Sequence, residues 1–479
     1  MFFYEKTLNL EPFCYLCIMI NFREIAIDDK SIIRDFAFGL QETDCYNSFA
    51  NLMSWKVHSS EMAIVNDCLC IRHQGNRLNY QVMFRDNADM KSAVTSTIKQ
   101  LQADAASLGE SFNMIVSDQR VKQIIEEEFA DDLSVHHARN CCDYIYSREK
   151  LTNLSGRHLQ QKRNHINKFK ELYPNYEYKP LTQDMMDDCL KLAQKWNITD
   201  ELNAMHHMIC YWDEFDMIGG AIFVDGKLIA FSFGNPLSDN TIDVNIEKAD
   251  TNYEGSFTVI NNEFVRHLPE RFSFINREED MGIAGLRTSK LSYHPHLLLD
   301  KYFVSCKNAN LPDIDSETRQ LWKEVFCDDD TWMDYYFSQV FKSEYNVTYI
   351  KDGHVVGALQ TLPYVADGIK YAYISGISVK DTYRQQGIGR MLMQKADYKM
   401  RANGIQYAIL VPASPSLVQW YESMQYRVDS TLPLPAKENC GMENNDFTEW
   451  QKKHIMIKEI LIPHSPFLIP HSPFPIPNS

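Results

Sequence analysis

Hydrophobic positions along this chain recur with two different periods, which predicts strands and helices in alternation. In the last third, Tyr371–Val379 is rich in aromatic and β-branched residues, which is typical of a strand. Further on, Ile388, Leu392 and Ala396 are apolar in steps of four, which predicts a helix with one buried face. A short loop with two glycines, RQQGIG, joins these two elements. The chain around this loop carries the strongest chemical signal in the sequence.

The glycine loop is a candidate phosphate site. A helix N-terminus has unpaired backbone N–H groups and a partial positive charge, so it suits a phosphate or a pyrophosphate. Gly387 and Gly389 have no Cβ atoms and let a ligand approach the backbone. Arg384 and Arg390 add positive charge nearby. Because glycine-bearing helix starts are common, this loop alone is a weak signal and its neighbours decide.

The segments on both sides continue the alternation of strands and helices. Before the strand, Asp352-Gly353 lies between two β-rich runs, a pattern that predicts a tight hairpin. After the helix, Ile405–Val411 is apolar and predicts another strand. A further helix is predicted over residues 416–424, and it contains Tyr421. The resulting order is hairpin, strand, glycine loop, helix, strand and helix.

This order, with its R-x-x-G-x-G loop and its later Y-E-x-M-x-Y segment, resembles the GNAT family of acyl-CoA N-acyltransferases over about Ile314 to Arg427. The resemblance implies that the loop holds the pyrophosphate of acetyl-CoA or another acyl-CoA, and that the strand edge at 377–379 pairs with the pantetheine arm. The cofactor-binding residues implied in this way are Ile377, Val379, Arg384, Gln385, Gln386, Gly387, Ile388, Gly389, Arg390 and Ser414. Ser414 stands where the family often has asparagine.

The same resemblance implies that Tyr421 is the general acid that protonates the departing thiolate. The alternative for Tyr421 is a packing role in an aromatic cluster with Trp420 and Tyr426. The sequence departs from the family on Tyr371–Val379, which has no acidic residue where many members place a general base. Deprotonation through a bound water and arrival of an already neutral amine therefore both stay open.

Length and composition limit the classes of protein that fit. A chain of 479 residues is too long for one ordinary core, so two or three domains are expected. The net charge of −16 argues against broad non-specific nucleic-acid binding, although a local basic groove is compatible with it. Twelve scattered cysteines give no disulfide framework, which indicates a reducing cytoplasm. No apolar run reaches the roughly 18 residues of a membrane span, so no span is expected. Cys14-x-x-Cys17 lacks a second pair of ligands at zinc spacing, so no metal site is expected.

The first 300 residues also alternate between strand and helix patterns, as α/β proteins do. Within them, Ala63–Ile71 and Leu78–Phe84 are predicted to form a hairpin. Arg157–Lys170 is the most basic stretch, and as a helix it turns Lys162 and Arg163 outward. Two interpretations are open: a grip on the phosphate of tRNA, a lipid headgroup or a cofactor, and a solvated amphipathic helix.

Two parts of the chain repeat one order of elements. Asp225-Gly226 and Asp352-Gly353 each centre a predicted hairpin, while Lys248–Gly255 and Lys380–Gly387 each lead from a strand into a helix. A repeated supersecondary order predicts that one fold occurs more than once in the chain. The loop of the earlier copy has only one of the two glycines and no arginine, so coenzyme A binding is less expected there.

A second polar stretch, Phe274–Tyr293, combines charges of both signs with small residues. Such a stretch forms either a polar pocket with perturbed pKa values or a salt-bridged surface loop. Together with YIYSREKL, KRNHINKFKELYP, GGAIFVDGKLIAFS and IEKAD, it resembles the C-terminal domain of phosphatidylglycerol lysyltransferases and of uncharacterised bacterial relatives. The resemblance runs from about Ile20 to Val304 and implies two GNAT-like subdomains in tandem.

Lysyltransferases of this type use aminoacyl-tRNA, so the resemblance implies an acceptor stem or a substrate phosphate near Lys162 and Arg163. They also carry a membrane flippase portion that this sequence lacks, so a lipid acceptor is not expected. The candidate substrate residues of the module are Lys162, Arg163, Glu247, Asn276, Glu279, Asp280, Lys290 and Tyr293.

The sequence therefore predicts an α/β protein with tandem GNAT-like folds: an appendage at 1–18, a lysyltransferase-like module of two subdomains at 19–305, a GNAT domain at 306–460 and a Pro-rich disordered tail at 461–479. The first functional hypothesis is an acetyl-CoA-dependent N-acetyltransferase acting on a small amine, amino acid or peptide. The second is aminoacyl transfer from tRNA through the N-terminal module. The third is a non-catalytic recognition or dimerisation role for that module. No short motif encodes the acceptor or the oligomeric state.

Overall fold

The computed structural model describes residues 20–39, 43–55, 59–74, 78–85, 89–196, 198–307, 313–351, 353–432, 436–443 and 446–460. The predicted appendage and the predicted Pro-rich tail lie outside these residues, as do Asp352, Cys14 and Cys17. The described residues fold into three mixed β-sheets with helices packed against them.

The strands are β1 (Arg23–Glu24), β2 (Ser59–Val65), β3 (Cys68–Gln74), β4 (Asn79–Met83), β5 (Asn113–Val116), β6 (Leu133–His137), β7 (Asp143–Ser147), β8 (Glu177–Pro180), β9 (Ile218–Val224), β10 (Lys227–Pro236), β11 (Thr241–Ala249), β12 (Phe274–Asn276), β13 (Leu297–Leu299), β14 (Tyr302–Cys306), β15 (Asn346–Lys351), β16 (His354–Ala366), β17 (Ile369–Val379), β18 (Tyr407–Leu410), β19 (Arg427–Val428) and β20 (Met456–Glu459). The α-helices are α1 (Lys30–Gly39), α2 (Phe49–Ser54), α3 (Met90–Ser107), α4 (Gln119–Glu128), α5 (Arg148–Asn153), α6 (Gln160–Leu172), α7 (Met186–Ala193), α8 (Thr199–Cys210), α9 (Ser256–His267), α10 (Ala284–Leu291), α11 (Ile314–Phe326), α12 (Asp330–Tyr335), α13 (Ile388–Ala402), α14 (Pro415–Glu422), α15 (Lys437–Cys440) and α16 (Glu449–Lys452).

The three sheets share one plan. Their strand orders are β1-β2-β3-β4-β5-β14-β6, β13-β7-β12-β11-β10-β9-β8 and β15-β16-β17-β18-β20-β19. Each contains one parallel pair among its described strands: β4 with β5, β11 with β12, and β17 with β18. The crossover between the two strands of each pair is a helix, namely α3, α9 or α13. This repetition confirms the predicted tandem GNAT-like α/β fold.

The predicted strand Ala63–Ile71 is wrong, because this segment contains parts of two strands. β2 and β3 meet at a turn over Asn66-Asp67, and β3 then pairs with β4. Both turn residues have positive φ angles, 49° and 59°. Asn and Asp adopt this conformation more readily than other residues that have a side chain. Apolar residues on both sides hide the turn in the hydrophobic pattern.

Burial in the third sheet follows the predicted helical face. Ile388, Leu392 and Ala396 of α13 are buried in one cluster with Ala372 and Ile374 of β17. The cluster holds α13 against the sheet, because the burial of its apolar side chains away from water is the main favourable contribution to this packing. The glycine loop is thereby held at the end of β17.

The third sheet contacts the first one through β15 and the turn after α3. The Tyr349 hydroxyl donates to the Ser107 carbonyl over 3.1 Å, and the Ile350 amide donates to the Gly109 carbonyl over 3.3 Å. Gly109 has a φ of 65°, and a Cβ there would lie 2.7 Å from the Tyr349 ring. The GNAT-like third sheet is therefore docked on the N-terminal module by direct backbone contact.

Candidate functional site

The glycine loop begins where β17 ends and continues to the start of α13. The Arg384 guanidinium donates to the Val379 carbonyl over 3.3 Å and pairs with Asp381 at 2.9 Å. Gln385 and Gly387 have φ angles of 63° and 82°, and Gly387 is the N-cap of α13. A side chain is strained in this left-handed conformation, which explains the glycine at 387.

The loop presents backbone donors that have no acceptor in the described part of the chain. The N–H groups of residues 385–389 donate to none of the described residues, whereas those of Arg390 and Met391 donate to the Gly387 carbonyl. A Cβ added at Gly387 would meet nothing within 4 Å, so the approach to these donors is open. Unpaired N–H groups at the positive end of a helix bind phosphates. The loop therefore fits a pyrophosphate group.

The equivalent loop in the second sheet is closed. Gly255 has a φ of 88° and caps α9, as Gly387 caps α13. A Cβ at Gly255 would lie 2.9 Å from the His165 carbonyl oxygen and 3.3 Å from Phe169 Cβ, both in α6. Because α6 covers the start of α9, no room is left there for a phosphate.

β17 and β18 separate part-way along their length. They pair in parallel only at Tyr371–Tyr373 and Tyr407–Ile409, although β17 continues to Val379. A bulge at Gly376-Ile377, where β17 shifts register against β16, bends the strand beyond this point. None of the described strands pairs with this remainder of β17 on its β18 side. This edge is therefore available to an extended ligand.

Tyr421 packs close to the point where these strands separate. It is buried in the cluster that holds Ile374 of β17 and Leu410 of β18. Burial raises the pKa of Tyr421 to about 12, so the phenol stays protonated at neutral pH. Its ring also meets the Trp420 ring edge-on at 4.9 Å. The predicted acid and the alternative packing role are thus compatible in one residue.

Three other predicted cofactor residues have partners within the protein. A Cβ at Gly389 would lie 3.3 Å from the Trp420 ring, so this glycine lets α13 approach α14 rather than opening the loop. Arg390 Nη2 donates to Ser423 Oγ over 3.0 Å. Ser414 is the N-cap of α14. Contact of these residues with a cofactor stays a prediction.

A second polar site lies between the first two sheets, around a fully buried ammonium group. Lys301 Nζ is 2.8 Å from Asp143 Oδ1 and 2.7 Å from Asp44 Oδ1, and it lies 3.5 Å from the centre of the Tyr46 ring. Cys45 donates its backbone N–H to Asp143 over 2.9 Å. Burial alone would lower the pKa of Lys301, but the two carboxylates outweigh burial and raise it.

Beside this ion pair, carboxyl and amide groups share hydrogen bonds. The Asn51 amide donates to Asp243 Oδ2 over 3.0 Å and to Glu278 Oε1 over 3.1 Å. Asn245 donates to the same Asp243 oxygen over 3.1 Å, while Asp243 Oδ1 is buried without a partner among the described residues. Burial and then neighbouring carboxylates raise the pKa of Glu278 to about 8 and that of Asp243 well above its usual range. Glu278 therefore favours its protonated form near neutral pH.

Three predicted substrate residues border this second site. Asn276 donates to Asp143 Oδ2 over 2.9 Å. Lys290 donates to backbone carbonyls of the segment 277–279, over 2.6 Å and 3.1 Å for two of them. Glu279 is largely buried, and burial raises its pKa. These three side chains thus lie beside the buried polar site, and their contact with a substrate stays a prediction.

Three more predicted residues gather around Arg277. Arg277 Nη2 pairs with Glu247 Oε1 at 2.7 Å, and its guanidinium carbon lies 5.2 Å from the centre of the Tyr293 ring. Lys162 Nζ lies 3.9 Å from the same ring centre, and burial lowers the pKa of Lys162. Two cations and one carboxylate leave a net positive charge that suits an anionic group.

Asp280 and Arg163 lie apart from these groups. Asp280 accepts hydrogen bonds from Arg287 at 2.8 Å and from Arg139 at 3.0 Å, and the bond from Arg287 does most to lower its pKa. Arg163 donates to backbone carbonyls of the turn 154–156. Both side chains hold local structure, and their contact with a substrate stays a prediction.

The centre of the second site is not among the predicted residues. The missing ones are Asp44, Cys45, Asn51, Asp143, Asp243, Asn245, Glu278 and Lys301. They come from segments far apart in the chain. The one local signal is in β11, where Asp243 and Asn245 interrupt a strand that is otherwise largely apolar over residues 241–246.

Comparisons with known proteins identify the families that this chain resembles. Residues 38–305, more than half of the chain, match the family described as phosphatidylglycerol lysyltransferase, C-terminal. The chain belongs to this family. Residues 310–428 of this lysyltransferase-family chain match the GNAT acetyltransferase domain. Both matches are to acyltransferases, so the chain is an acyltransferase.

Similar proteins extend the comparison. A crystal structure of a conserved protein of unknown function from Bacteroides thetaiotaomicron is 35% identical, with a TM-score of 0.56, over 60% of this chain and 100% of that one. A C-terminal domain (DUF2156) from Agrobacterium fabrum, described as that of a lysylphosphatidylglycerol synthetase, is 12% identical with a TM-score of 0.42, over 58% of this chain and 92% of that one. An uncharacterized protein of Mycoplasmoides gallisepticum is 25% identical over 36% of this chain, and the chain spans 58% of that relative's length.

Two further findings concern the environment of this family member. None of the helices within the described ranges combines the length and the apolar character that a bilayer crossing requires. None of the ten cysteines in those ranges forms a disulfide bond.

Proposed function

We propose that the C-terminal domain transfers an acetyl or another acyl group from coenzyme A to a small amine, amino acid or peptide. The observation that carries this proposal is the row of N–H groups at 385–389, which, like the neighbouring edge of β17, has no partner among the described residues. The pyrophosphate would bind these N–H groups, with Arg384 and Arg390 adding positive charge. The pantetheine arm would pair with β17 from Ile377 to Val379.

A bound acyl-CoA supplies the thioester carbonyl that the amine attacks. Backbone N–H groups near Ile377–Val379 polarise that carbonyl in the transition state. Tyr421 Oη holds the proton that the departing thiolate takes up, because burial keeps this phenol protonated. We place the reaction in the cytoplasm, since the ten cysteines of the described ranges form no disulfide bond, as suits a reducing compartment.

The proposal is tested by following release of the coenzyme A thiol from acetyl-CoA in the presence of a panel of amines, amino acids and peptides. A productive acceptor should give turnover that falls about a hundredfold or more in Tyr421→Phe, the usual contribution of a general acid. Acetyl-CoA affinity should stay nearly unchanged, because Phe keeps the ring.

Tyr426→Phe is the matched control. Tyr426 is also buried in the same cluster, with its ring centre 6.1 Å from that of Tyr421. We expect Tyr426→Phe to leave turnover within a few-fold of the wild type, because this variant keeps the Tyr421 hydroxyl, which is the proposed general acid. Equal losses of turnover and affinity in both variants would assign Tyr421 to packing.

A second candidate function is aminoacyl transfer from tRNA at the N-terminal module. The observation that favours it is the buried polar site between the first two sheets, where the pKa of Glu278 is raised to about 8. A carboxyl group with such a pKa can exchange a proton with an amine near neutral pH. The neighbouring cations Lys162 and Arg277 would hold a phosphate or carbonyl group of the substrate.

The second candidate predicts tRNA binding that weakens steeply with salt. Lys162→Gln should reduce that binding, whereas Lys168→Gln on the same helix should not, because Lys168 is exposed and pairs with Glu254. Arg163 is unsuitable for this test, since its guanidinium donates to the turn 154–156. Absence of any tRNA shift with the wild-type protein at low salt would reject this function.

A further inference from the structure

The chain crosses between the first two sheets at two neighbouring places. One crossing runs from β6 to β7, and His137 ends β6 while Cys142 directly precedes β7. The other runs from β13 to β14, and Asp300 lies in it. His137, Cys142 and Asp300 meet where the two crossings pass each other, although Asp300 is 163 residues from His137 and 158 from Cys142 in the sequence.

Three atoms converge in this cluster. His137 Nε2 lies 3.0 Å from Asp300 Oδ1 and 3.5 Å from Cys142 Sγ, and Cys142 Sγ lies 3.8 Å from Asp300 Oδ1. The point in the plane of these three atoms that is equally far from all of them lies about 2.0 Å from each. This distance is close to the zinc–nitrogen and zinc–oxygen bond lengths and slightly shorter than the zinc–sulfur bond length.

The arrangement differs from a nucleophilic triad. In a Cys-His-Asp relay, one imidazole nitrogen faces the thiol and the other faces the carboxylate. Here the single atom His137 Nε2 faces both Cys142 and Asp300. A relay through the ring is therefore not set up, whereas convergence on one point is what a shared cation requires.

We propose that His137, Cys142 and Asp300 bind a divalent transition-metal ion of the zinc type. Thiolate, imidazole and carboxylate are all zinc ligands, and a thiolate disfavours magnesium and calcium. Water can take the fourth position, because the side chains of His137 and Asp300 are 46% and 43% exposed. The ligands were not expected from the sequence, since only His137 and Cys142 are near each other in it and the third ligand comes from a distant segment.

The other group of possible ligands in the described residues does not compete with this site. Asp44, Cys45 and Asp143 also lie close together, but the Lys301 ammonium already occupies the space between the two carboxylates. A second cation there would meet a buried positive charge at short range, which is strongly unfavourable in a low-dielectric interior.

The position of the proposed ion suggests what it does for the fold. Asp143 and Lys301 form a buried ion pair at 2.8 Å, and each directly follows a proposed ligand in the sequence: Asp143 follows Cys142, and Lys301 follows Asp300. An ion bound to Cys142 and Asp300 ties together the two backbone segments that carry this pair. The site therefore acts as a clip that fixes the two subdomains at their crossing.

The test uses the full-length protein, stripped with a chelator and titrated with Co²⁺ as a spectroscopic substitute for Zn²⁺. We expect one equivalent to bind, with a thiolate-to-cobalt charge-transfer band that Zn²⁺ then removes. Zn²⁺ should also raise the midpoint of thermal unfolding, because it binds only the native state. Cys142→Ser should abolish the band, and His137→Asn or Asp300→Asn should weaken binding at least about tenfold, the loss that even outer-shell changes produce.

Cys210→Ser is the matched control. Cys210 Sγ lies 3.7 Å from His206 Nδ1, a thiol and an imidazole that belong to neither group of three possible ligands in the described part of the chain. The control should keep the cobalt band. No thiolate band in folded wild-type protein, or a band that persists in Cys142→Ser, would overturn the proposal. If Cys142→Ser does not fold, unchanged affinity in the solvent-facing Asp300→Asn variant would overturn it equally.

Discussion

The buried Lys301 ammonium makes a stability prediction that can be worked out from the contacts. Lys301 and Asp143 have no exposed side-chain surface, and Asp44 is 7% exposed. Lys301→Met keeps most of the side-chain volume but leaves both carboxylates without their cation. Removing one partner of a buried ion pair costs about 3–5 kcal/mol. Asp143 keeps the Cys45 and Asn276 donors and Asp44 keeps the Tyr46 amide, so the loss stays within this range.

The assay is equilibrium unfolding in urea, followed by far-UV circular dichroism in the presence of a chelator. Lys168→Met is the surface control, because Lys168 and Glu254 are 54% and 59% exposed and such pairs contribute up to about 1 kcal/mol. Adding Asp143→Asn to Lys301→Met should recover part of the loss, since one stranded charge is removed. A loss below about 1 kcal/mol for Lys301→Met, or simple additivity in the double variant, would refute the reasoning.

Three further variants and one matched control test the electrostatics and the backbone. The folded-state pKa of Glu278 is raised to about 8, so the contribution of Glu278 to stability falls as the pH rises from about 4.3. Glu278→Gln should therefore gain urea resistance relative to the wild type between pH 5 and pH 8. A difference that stays constant with pH would contradict this. The pKa of Asp280 is lowered, so its contribution is present above about pH 3.9 and lost as the pH falls further; Asp280→Asn should flatten the acid side of the urea midpoint plotted against pH. Gly376→Ala places a Cβ 1.9 Å from the Trp322 ring at a φ of 63°, so it should destabilise the third sheet by several kcal/mol. Its control is Gly368→Ala, which has a φ of 78° and open space around the Cβ, and which should cost about 1–2 kcal/mol in the same urea titration.

The regular elements were predictable because their residues repeat with the period of the element. Ile388, Leu392 and Ala396 lie on one face of α13 and are all buried, so the helix and its packing follow from the sequence. The turn at Asn66-Asp67 was not predictable in this way. Its two polar residues separate two short apolar runs, 62–65 and 68–71, and their left-handed conformation leaves no trace in the hydrophobic period.

The two polar sites also differ in how far the sequence could predict them. The glycine loop is contiguous, so its donors come from neighbouring residues and the sequence alone points to them. The site between the first two sheets joins Asn51, Asp143, Asp243 and Lys301 from four separate segments. Each of these residues looks like an isolated polar position in its own segment. Only the folded arrangement shows that they lie in one site.

The measurement that most directly tests the central claim is calorimetric titration of the full-length protein with acetyl-CoA, beside Gly387→Glu and Gly368→Glu. Both glycines have positive φ angles and open space around a Cβ, so the two substitutions impose similar backbone strain. Only Gly387→Glu places a carboxylate next to the N–H groups at 385–389. We predict micromolar binding in the wild type and in Gly368→Glu, and its loss in Gly387→Glu. Absence of binding by folded wild-type protein, or equal affinity in all three proteins, would contradict the assignment of this loop to coenzyme A.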